Sequence, residues 1–414
     1  MYEYNYLEVE ENSWFSPIIS ALLLVKREIS VTIRVTITGL EKPRSPTLPG
    51  DMEGQPYSSG SPRRLPQTDP HDHFSRTNIG AMNSPITSMS AVAMLDSISS
   101  EQPDFLVDVE LHRPAPGPRD LLVEIAAVSI NPVDTKVRMR LGKQTEPKVL
   151  GFDAAGTVVE VGSEASLFQV GDKVFYSGSN LRQGTNAQFH VVDERLVGHA
   201  PTSLDPADAA ALPLVSLTAW EALFERLPIT QSTTGTLLIL GGAGGVPSAL
   251  IQLARALTGL QVVATASRPE SAAWVSTLGA HEVIDHSRDL SEQISDVDFV
   301  FSSWTTGRET ELAAVMKPQS HLVLIDDPVD PNLGAFKQKS IALHWEFMFT
   351  RAMFTTPDMA VQGEILNKIA DMVDRGQFHT ITERVLEGLT AANIMEGHRL
   401  VEQGKTTGKI VVKT

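Results

Sequence analysis

"TLLILGGAGGVPSALIQLARAL", residues 236–257, decides the fold because a strand, a glycine-rich turn and a helix follow one another without a break. The apolar run 236–240 has strand length, and the apolar residues after the turn recur at the spacing of one helix face. The frame G-x-G-x-x-G falls on Gly242, Gly244 and Pro247, so proline stands at the third position. Proline is tolerated in the first turn of a helix, where an N–H has no intrahelical acceptor. The substitution is therefore expected to affect helix–strand packing and to leave the turn intact.

Such a turn presents backbone N–H groups and the positive end of the helix dipole to phosphate. We therefore predict that Gly242, Ala243, Gly244, Gly245 and Val246 bind the pyrophosphate of a nicotinamide dinucleotide. An ordinary strand–helix turn is the alternative. The position of the motif at the start of a βαβ unit favours the cofactor.

The end of the next strand predicts which dinucleotide is bound. NAD selection usually places an acidic residue there to hold the ribose 2′-hydroxyl. In this chain "ATASRPE" supplies Ser267 and Arg268, a hydroxyl and a cation that suit a 2′-phosphate, and Glu270 comes only at the start of the following helix. The pattern favours NADPH over NADH, although Arg268 could also be a solvated loop residue.

The strand-length segments follow two different sequence patterns, which indicates an α/β protein with two kinds of sheet. Before residue 215, short β-branched runs lie between glycine corners, which is typical of a small barrel. After residue 215, apolar strands alternate mostly with amphipathic helices, which predicts a doubly wound parallel sheet. The first group includes 121–130, 156–162 and 171–178, and the second includes 236–240, 261–267, 281–286, 297–303 and 321–327.

Composition excludes several classes of function. The 414 residues suit two domains with a tail, and 34 basic against 50 acidic residues argue against binding to nucleic acid or anionic membranes. The absence of cysteine excludes disulfides, cysteine–zinc sites and thiol nucleophiles. No apolar run approaches the length of a membrane span, and the run at 17–25 makes a poor signal peptide, so a cytoplasmic protein is expected.

Residues 1–85 differ in composition from the rest of the chain. The stretch 41–74 is crowded with Pro, Ser, Gly and charged residues and has too few apolar residues to build a core. We predict a disordered N-terminal extension.

Several stretches together resemble the medium-chain dehydrogenase/reductases, in the quinone oxidoreductase and zeta-crystallin branch and closest to the zinc-type alcohol dehydrogenase-like proteins. They are "VSINPVDTKVR" (128–138), "GFDAAGTVVEVG" (151–162), "ALPLVSLTAWEALFE" (211–225), the glycine turn, "LGAHEVIDH" (278–286), "HWEFMFTRAMF" (344–354) and the closing "GKIVV". The resemblance covers nearly all of 90–414.

This resemblance implies a domain organisation. It implies a GroES-like barrel catalytic domain at 86–215, a Rossmann domain for NADPH at 216–343 and a C-terminal segment at 344–414 that returns to the barrel. The cofactor is expected in the cleft between the two domains. The resemblance also implies a homodimer.

Zinc-dependent relatives use Cys and His ligands that this chain lacks. "NPVD" stands where the first catalytic ligand is expected, and Gly151, Phe152 and Asp153 stand where a His-Glu pair follows. Asp134, Asp153 and His190 remain as an alternative metal set, against the simpler interpretation of polar cleft or strand residues. We predict a metal-free enzyme.

Without a metal ion, a quinone or α,β-unsaturated carbonyl suits the site better than a simple ketone, because an enolate spreads the developing charge. By resemblance, Asn131 lies beside nicotinamide and substrate, and Tyr176 and Lys136 are candidate donors. Tyr176 could instead be a packed barrel aromatic, and Lys136 could face solvent. The rival functions are an alcohol or carbonyl dehydrogenase on the same scaffold and a largely non-catalytic NADPH-binding protein.

The resemblance also implies cofactor contacts outside the glycine turn. Thr218 is expected to contact the cofactor, as is His286, for which a surface position is the alternative. "SSWTTG" (302–307) is expected near the nicotinamide, and "HWEFMF" (344–349) in the substrate wall or a dimer face.

Overall fold

The computed structural model describes residues 87–95, 105–141 and 144–414, all of them within one compact unit, Gly80–Thr414. The predicted disordered extension at 1–85 lies outside the described residues. The strands are β1 (Ser88–Met94), β2 (Val107–His112), β3 (Asp120–Ile130), β4 (Lys148–Val149), β5 (Asp153–Val161), β6 (Lys173–Ser177), β7 (Phe189–Asp193), β8 (Val197–His199), β9 (Thr234–Ile239), β10 (Gly259–Thr265), β11 (Glu282–Ile284), β12 (Val297–Ser302), β13 (Met316–Leu324), β14 (Ala342–Trp345), β15 (Thr382–Glu387) and β16 (Lys409–Lys413). The α-helices are α1 (Pro132–Arg140), α2 (Pro206–Ala210), α3 (Pro213–Glu221), α4 (Gly245–Leu257), α5 (Pro269–Thr277), α6 (Glu309–Val315), α7 (Thr350–Phe354), α8 (Val361–Asp374) and α9 (Ala391–Glu402).

A six-stranded parallel sheet has the order β11-β10-β9-β12-β13-β14. Its central strand β9 is apolar on consecutive residues because both faces are covered, and Leu237, Leu238 and Ile239 are fully buried. The chain runs outward from β9 to β11 and then crosses back to β12. This order is that of a doubly wound sheet, as predicted, and it opens a crevice at the carboxyl ends of β9 and β12.

A seven-stranded sheet has the order β15-β16-β3-β5-β6-β8, with β7 paired to β3. The long strand β3 is its spine, because it pairs with β5, β7 and β16. The last strand, β16, therefore lies beside β3 although about 280 residues separate them in the sequence. The chain returns to the first sheet at its end, as the resemblance implied.

The glycine turn is followed by a regular helix, α4, that begins at Gly245 and includes Pro247 as its third residue. The helix buries a continuous apolar face with Leu250, Ile251 and Leu253 fully inside. The prediction that proline is tolerated in the first turn is therefore confirmed.

Two of the predicted domain boundaries fall inside regular elements. The boundary between residues 215 and 216 lies within α3, and that between 343 and 344 lies within β14 of the six-stranded sheet. Eight of the nine residues of α3 are buried, so its apolar pattern does not change where the chain passes from one sheet to the other. We keep the division into two domains as a proposal with its boundaries moved to the ends of these elements.

One helical stretch among the described residues, Pro206–Arg226, is long and apolar enough to cross a membrane, contrary to the expectation that no such run exists. Its apolar window is 83% buried inside the protein. It contains α2, α3 and a π-helical turn at Ala222–Arg226, which pack in the core.

Candidate functional site

A cleft of about 850 Å³ lies at the crevice of the six-stranded sheet. One side is formed by the end of β3 and the start of α1, and the opposite side by the segments that follow β9, β10, β12 and β13. Residues 404–410 of the C-terminal segment complete the lining. The volume is in the range of a ligand or cofactor site.

The glycine turn forms the phosphate-sized cradle of this cleft. Gly241 has φ +70°, a conformation that favours glycine, and it turns the chain after β9. A Cβ on Gly244 would meet no atom nearer than 3.5 Å, an ordinary contact distance, and this residue lines the cleft. The first N–H groups of α4 have no intrahelical acceptors. The residues of this turn thus suit a dinucleotide pyrophosphate, and Ala243, Gly244, Gly245, Val246 and Pro247 all line the cleft.

Gly242 packs against β10 and is not among the cleft-lining residues. Its N–H donates to the carbonyl of Thr265 at 2.9 Å, and a Cβ there would lie 2.9 Å from the Ala264 Cβ. Glycine at 242 is required for close packing of the turn against β10. The contact of Gly242 with the cofactor stays a prediction, and the structure adds this packing role.

The far end of the cleft follows β10 and carries Ser267, Arg268 and His286. Arg268 is exposed, and its Nη2 donates to the carbonyl of Lys405 at 2.8 Å. His286 Nδ1 lies 3.1 Å from Thr265 Oγ1, and burial together with the Arg308 guanidinium lowers the pKa of His286. Both effects favour the neutral form of the His286 imidazole, which lines the cleft.

Asn131 lies at the cleft floor with its amide engaged at both ends. Its Nδ2 donates to Asp153 Oδ2 at 2.8 Å, and its Oδ1 accepts from Lys409 Nζ at 2.5 Å. Asp153 is fully buried and also accepts from the Leu214 backbone N–H and the Ser129 hydroxyl, each at 2.8 Å. The amide orientation of Asn131 is therefore set by an ammonium on one side and a carboxylate on the other.

Asp134 orders the first turn of α1. Its Oδ2 accepts the backbone N–H of Asn131 at 2.6 Å, while its Oδ1 is buried without a hydrogen-bond partner. Burial raises the pKa of Asp134 to about 7, and the Asn131 N–H and the Lys409 ammonium oppose this change. Burial lowers the pKa of Lys409, which the carboxylates of Asp153 and Asp134 oppose.

Tyr176 is not among the cleft-lining residues, and its side chain is fully buried in the seven-stranded sheet. Its Oη lies 3.0 Å from His190 Nδ1, and His190 Nε2 lies 3.0 Å from the Gln183 carbonyl. A carbonyl only accepts, so Nε2 carries the proton and Tyr176 donates to Nδ1. Of the two alternatives for Tyr176, the structure favours an aromatic residue packed inside the barrel. The prediction that Tyr176 donates to substrate is not supported.

Lys136 lines the mouth of the cleft, where it forms an ion pair across the opening. Its Nζ donates to Asp327 Oδ2 at 3.2 Å, and Arg140 Nη2 donates to the same oxygen at 2.9 Å. Asp327 follows β13 and both cations belong to α1, so the pair joins the two sides of the cleft. The Lys136 side chain is 38% exposed, in keeping with the solvent-facing alternative.

The wall opposite Asn131 is largely apolar. Trp304 follows β12, and Phe347, Met348 and Phe349 follow β14, so the predicted segments 302–307 and 344–349 both reach the cleft. Thr218 also lines it, with its hydroxyl donated to the Leu214 carbonyl at 2.8 Å.

Buried charges hold this wall in place. Glu346 Oε2 accepts from Arg226 Nε at 2.8 Å, and Arg351 pairs with Glu221 at 2.7 Å. Burial and the neighbouring Glu221 carboxylate raise the pKa of Glu346 to about 9. The wall segment 346–351 is thereby fastened to α3 and the π-helical turn after it.

Asn180 is a polar cleft residue that sequence reasoning missed. Its Nδ2 donates only to the Met353 thioether at 3.2 Å, a weak acceptor, and its Oδ1 is buried without a partner. It lies in the loop after β6, where the sequence "SGSN" carries no signal beyond a turn. Lys409 was missed in the same way, since "GKIVV" was quoted without a role for its lysine.

The alternative metal set does not suit zinc. His190 has both ring nitrogens engaged, and both oxygens of Asp153 accept hydrogen bonds close to the Lys409 ammonium. A cation at Asp153 would be repelled by this ammonium. Among the described residues no group of three or more His, Cys, Asp or Glu side chains could hold a metal ion.

Two families match the sequence. Residues 117–202 match the alcohol dehydrogenase GroES-like domain, and residues 278–412 match the zinc-binding dehydrogenase family. The first match confirms the predicted GroES-like domain, and the parallel sheet described above completes the predicted fold class.

Individual relatives match between 70% and 80% of this chain. A zinc-type alcohol dehydrogenase-like protein of Staphylococcus epidermidis is 36% identical over 335 residues, 78% of this chain and 99% of that protein. A 2-methylene-furan-3-one reductase of Solanum lycopersicum is 31% identical over 303 residues, 70% of this chain and 71% of that protein. A solved structure from Rhizobium etli CFN 42, provisionally described as a zinc-dependent alcohol dehydrogenase, is 47% identical, with a TM-score of 0.76, and the match covers 80% of this chain and 99% of that one.

Proposed function

The chain belongs to the medium-chain dehydrogenase/reductase superfamily, among its zinc-type alcohol dehydrogenase-like members, and on that premise we propose that it is a zinc-independent, NADPH-dependent reductase of α,β-unsaturated carbonyls or quinones. The chain is an oxidoreductase of this superfamily. The proposal concerns its coenzyme, its substrate class and its independence of zinc.

The preference for NADPH is supported by the charge at the end of β10. Arg268 and Ser267 line the cleft where the adenosine ribose of a dinucleotide is expected to lie. No carboxylate lines the cleft in the segment 265–271, and Lys405 adds a second cation beside Arg268. A guanidinium and a hydroxyl favour a 2′-phosphate over a ribose hydroxyl.

Zinc independence is supported by the chemistry of the side chains that stand at the expected ligand positions. The chain has no cysteine, and Asp153 is saturated by hydrogen bonds beside the Lys409 ammonium. These groups do not form a zinc site, so no step of the proposed reaction depends on a metal.

The substrate class is supported by the apolar wall and by the Asn180 amide, whose nitrogen donates only to a weak acceptor. A reduced nicotinamide bound here would supply a hydride to the β-carbon of a conjugated carbonyl compound, and the resulting enolate would take a proton from solvent at its α-carbon. Phe347, Met348 and Phe349 give this part of the cleft an apolar surface that suits a flat conjugated substrate. In the proposed complex Asn180 Nδ2, which here donates to the Met353 thioether, would donate to the carbonyl oxygen, where negative charge develops.

A relative's activity points to the same chemistry. The tomato relative is a 2-methylene-furan-3-one reductase, and the substrate in that name has a methylene group conjugated with a ketone. The observation that carries the proposal is the single cleft in which the phosphate cradle, Arg268 and the apolar wall meet.

The proposal is tested by product analysis. Purified protein is incubated with NADPH and a simple enone, with a quinone in parallel, and the product is identified by mass spectrometry. A saturated ketone is expected, whereas an allylic alcohol would indicate carbonyl reduction. Tight NADPH binding without turnover on either substrate would favour a non-catalytic binding protein.

A further inference from the structure

Lys409 is a buried cation at the cleft floor for which the proposed reaction has so far no use. It is the first residue of β16, it is 4% exposed, and it lines the cleft together with Ile130, Asn131 and Gly245. A buried lysine loses hydration and side-chain entropy, so its retention here calls for a specific interaction.

The stem of Lys409 crosses directly under the glycine turn. A Cβ on Gly245 would lie 3.0 Å from Lys409 Cδ, closer than most such contacts allow. The backbone is fastened at the same point, since the Gly408 N–H donates to the Ala243 carbonyl at 2.9 Å. Glycine at 245 therefore leaves room for the Lys409 side chain and also keeps the phosphate cradle open.

The Lys409 ammonium has three acceptors around it. Nζ donates to the Ile130 carbonyl at 2.9 Å and to Asn131 Oδ1 at 2.5 Å, and it lies 3.4 Å from Asp153 Oδ2. All three hydrogens are used within the protein. The ammonium is thus not free to donate to a substrate.

This arrangement discriminates between the two orientations of the Asn131 amide. In the observed one, oxygen faces the ammonium and the NH₂ group faces the Asp153 carboxylate. A flipped amide would place NH₂ against the ammonium and oxygen against the carboxylate, and both contacts would be repulsive. One cation and one anion therefore fix Asn131 from opposite sides.

We propose that Lys409 is a positioning residue of the reductase, which holds the Asn131 amide in one orientation at the cleft floor through its ammonium. The C-terminal strand thereby contributes to the active site between the glycine turn and β3. The inference rests on the proposed function, since it assigns Lys409 a part in that reaction.

A double-mutant cycle tests whether Lys409 acts through Asn131. Lys409→Met keeps the stem and removes the charge, and it is expected to lower kcat by about 10- to 100-fold, with a smaller effect on KM, because small misplacement of a positioned group is costly. In an Asn131→Ala background the same change should lower kcat by less than about twofold, because the group it positions is gone. Equal fold losses in both backgrounds would overturn the proposal.

A double variant that removes both the cation and its carboxylate partner distinguishes an effect on the position of Asn131 from an effect on the stability of the fold. Lys409→Met leaves Asp153 buried without its cation, so a loss of Tm is expected that Lys409→Met/Asp153→Asn relieves. Positioning predicts that the double variant regains Tm but not kcat. Recovery of both would show a structural role only.

Binding provides a readout that does not require turnover. The Kd of NADPH, followed by the change in its fluorescence, is expected to stay within about threefold of wild type in Lys409→Met, because the stem beside Gly245 is kept. Lys413→Met, at the other end of β16, is the matched control and should change none of these quantities. A tenfold rise of Kd in Lys409→Met would overturn the proposal in favour of a cofactor-binding role. If wild type binds NADPH but reduces no enone or quinone, the proposed function fails instead.

Discussion

At the scale of single residues, Arg268 is the side chain on which the coenzyme preference depends. It is exposed at the open end of the cleft, where a 2′-phosphate can reach its guanidinium. Arg268→Ala is expected to raise the Kd of NADPH by about tenfold or more and that of NADH by less than about threefold, since only NADPH loses a charge-assisted hydrogen bond. Fluorescence titration measures both values. The exposed Arg288→Ala is the control, and an equal loss for both coenzymes contradicts the preference for NADPH.

Asn180 is the residue that tests the substrate class. Asn180→Leu keeps a similar volume and removes the amide donor, so kcat/KM for an enone is expected to fall by about 10- to 100-fold. The Kd of NADPH should not change, because in the proposed complex the Asn180 amide contacts the substrate and not the coenzyme. The neighbouring Leu181→Ala, at an exposed position outside the cleft lining, should behave as wild type. An unchanged kcat/KM in Asn180→Leu means that the carbonyl oxygen is held elsewhere.

The role of a residue could be predicted from the sequence only where its side chain and the surrounding motif are enough to indicate that role. Arg268 and the glycines follow from the motif and its spacing, and the structure brings all of them except Gly242 to the cleft. Asn131 and Thr218 came from resemblance and do line it. Lys409 and Asn180 could not be found, because their partners are distant in sequence and only the folded chain brings them together. The prediction for Tyr176 is not supported, because four consecutive residues of β6 are buried and the pattern does not show which face meets the cleft.

At the scale of elements, the edge strand β14 was not predicted, but the glycine turn, α4 and the other five strands of the six-stranded sheet were, because both sheet faces are covered. Continuous apolar runs then mark each strand, as Leu237, Leu238 and Ile239 do in β9. Element ends were less predictable. α3 is buried along nearly its whole length, so no change of pattern marks the passage between the two sheets.

The first turn of α1 carries a pH-dependent element of stability. Because burial raises the pKa of Asp134 from 3.8 to about 7, the folded protein keeps a proton that the unfolded chain releases between these values. The free energy of unfolding therefore falls as pH rises from about 4 to about 7, and the loss is complete above that range. Asp134→Asn removes this contribution and is expected to raise Tm at pH 8 by at least about 2 °C relative to wild type, with a smaller difference near pH 4.

Differential scanning fluorimetry across pH 4–8 measures this difference. Glu282→Gln, which removes an exposed carboxylate on β11, is the control and should leave the pH dependence as in wild type. A constant Tm difference between Asp134→Asn and wild type at every pH would contradict the role assigned to Asp134.

At the scale of the whole molecule, the edge strand β14 supports the predicted homodimer. β14 pairs with β13 on one side and has no strand on its other side among the described residues. Trp345 and Phe347 beside it are 58% and 47% exposed, and an exposed apolar edge is a template for pairing. Light scattering is expected to give twice 45.0 kDa, about 90 kDa, for wild type and half that mass for Trp345→Lys. A monomeric wild type contradicts the prediction.

The central claim is that the cleft delivers hydride from NADPH to the β-carbon of a conjugated carbonyl without a metal ion. The most direct test uses NADPH deuterated at the transferable position, an enone, and protein freed of metal by a chelator. The account predicts a saturated ketone with deuterium at its β-carbon and an undiminished rate. Deuterium on the carbinol carbon of an allylic alcohol, or a rate restored only by added zinc, would contradict it.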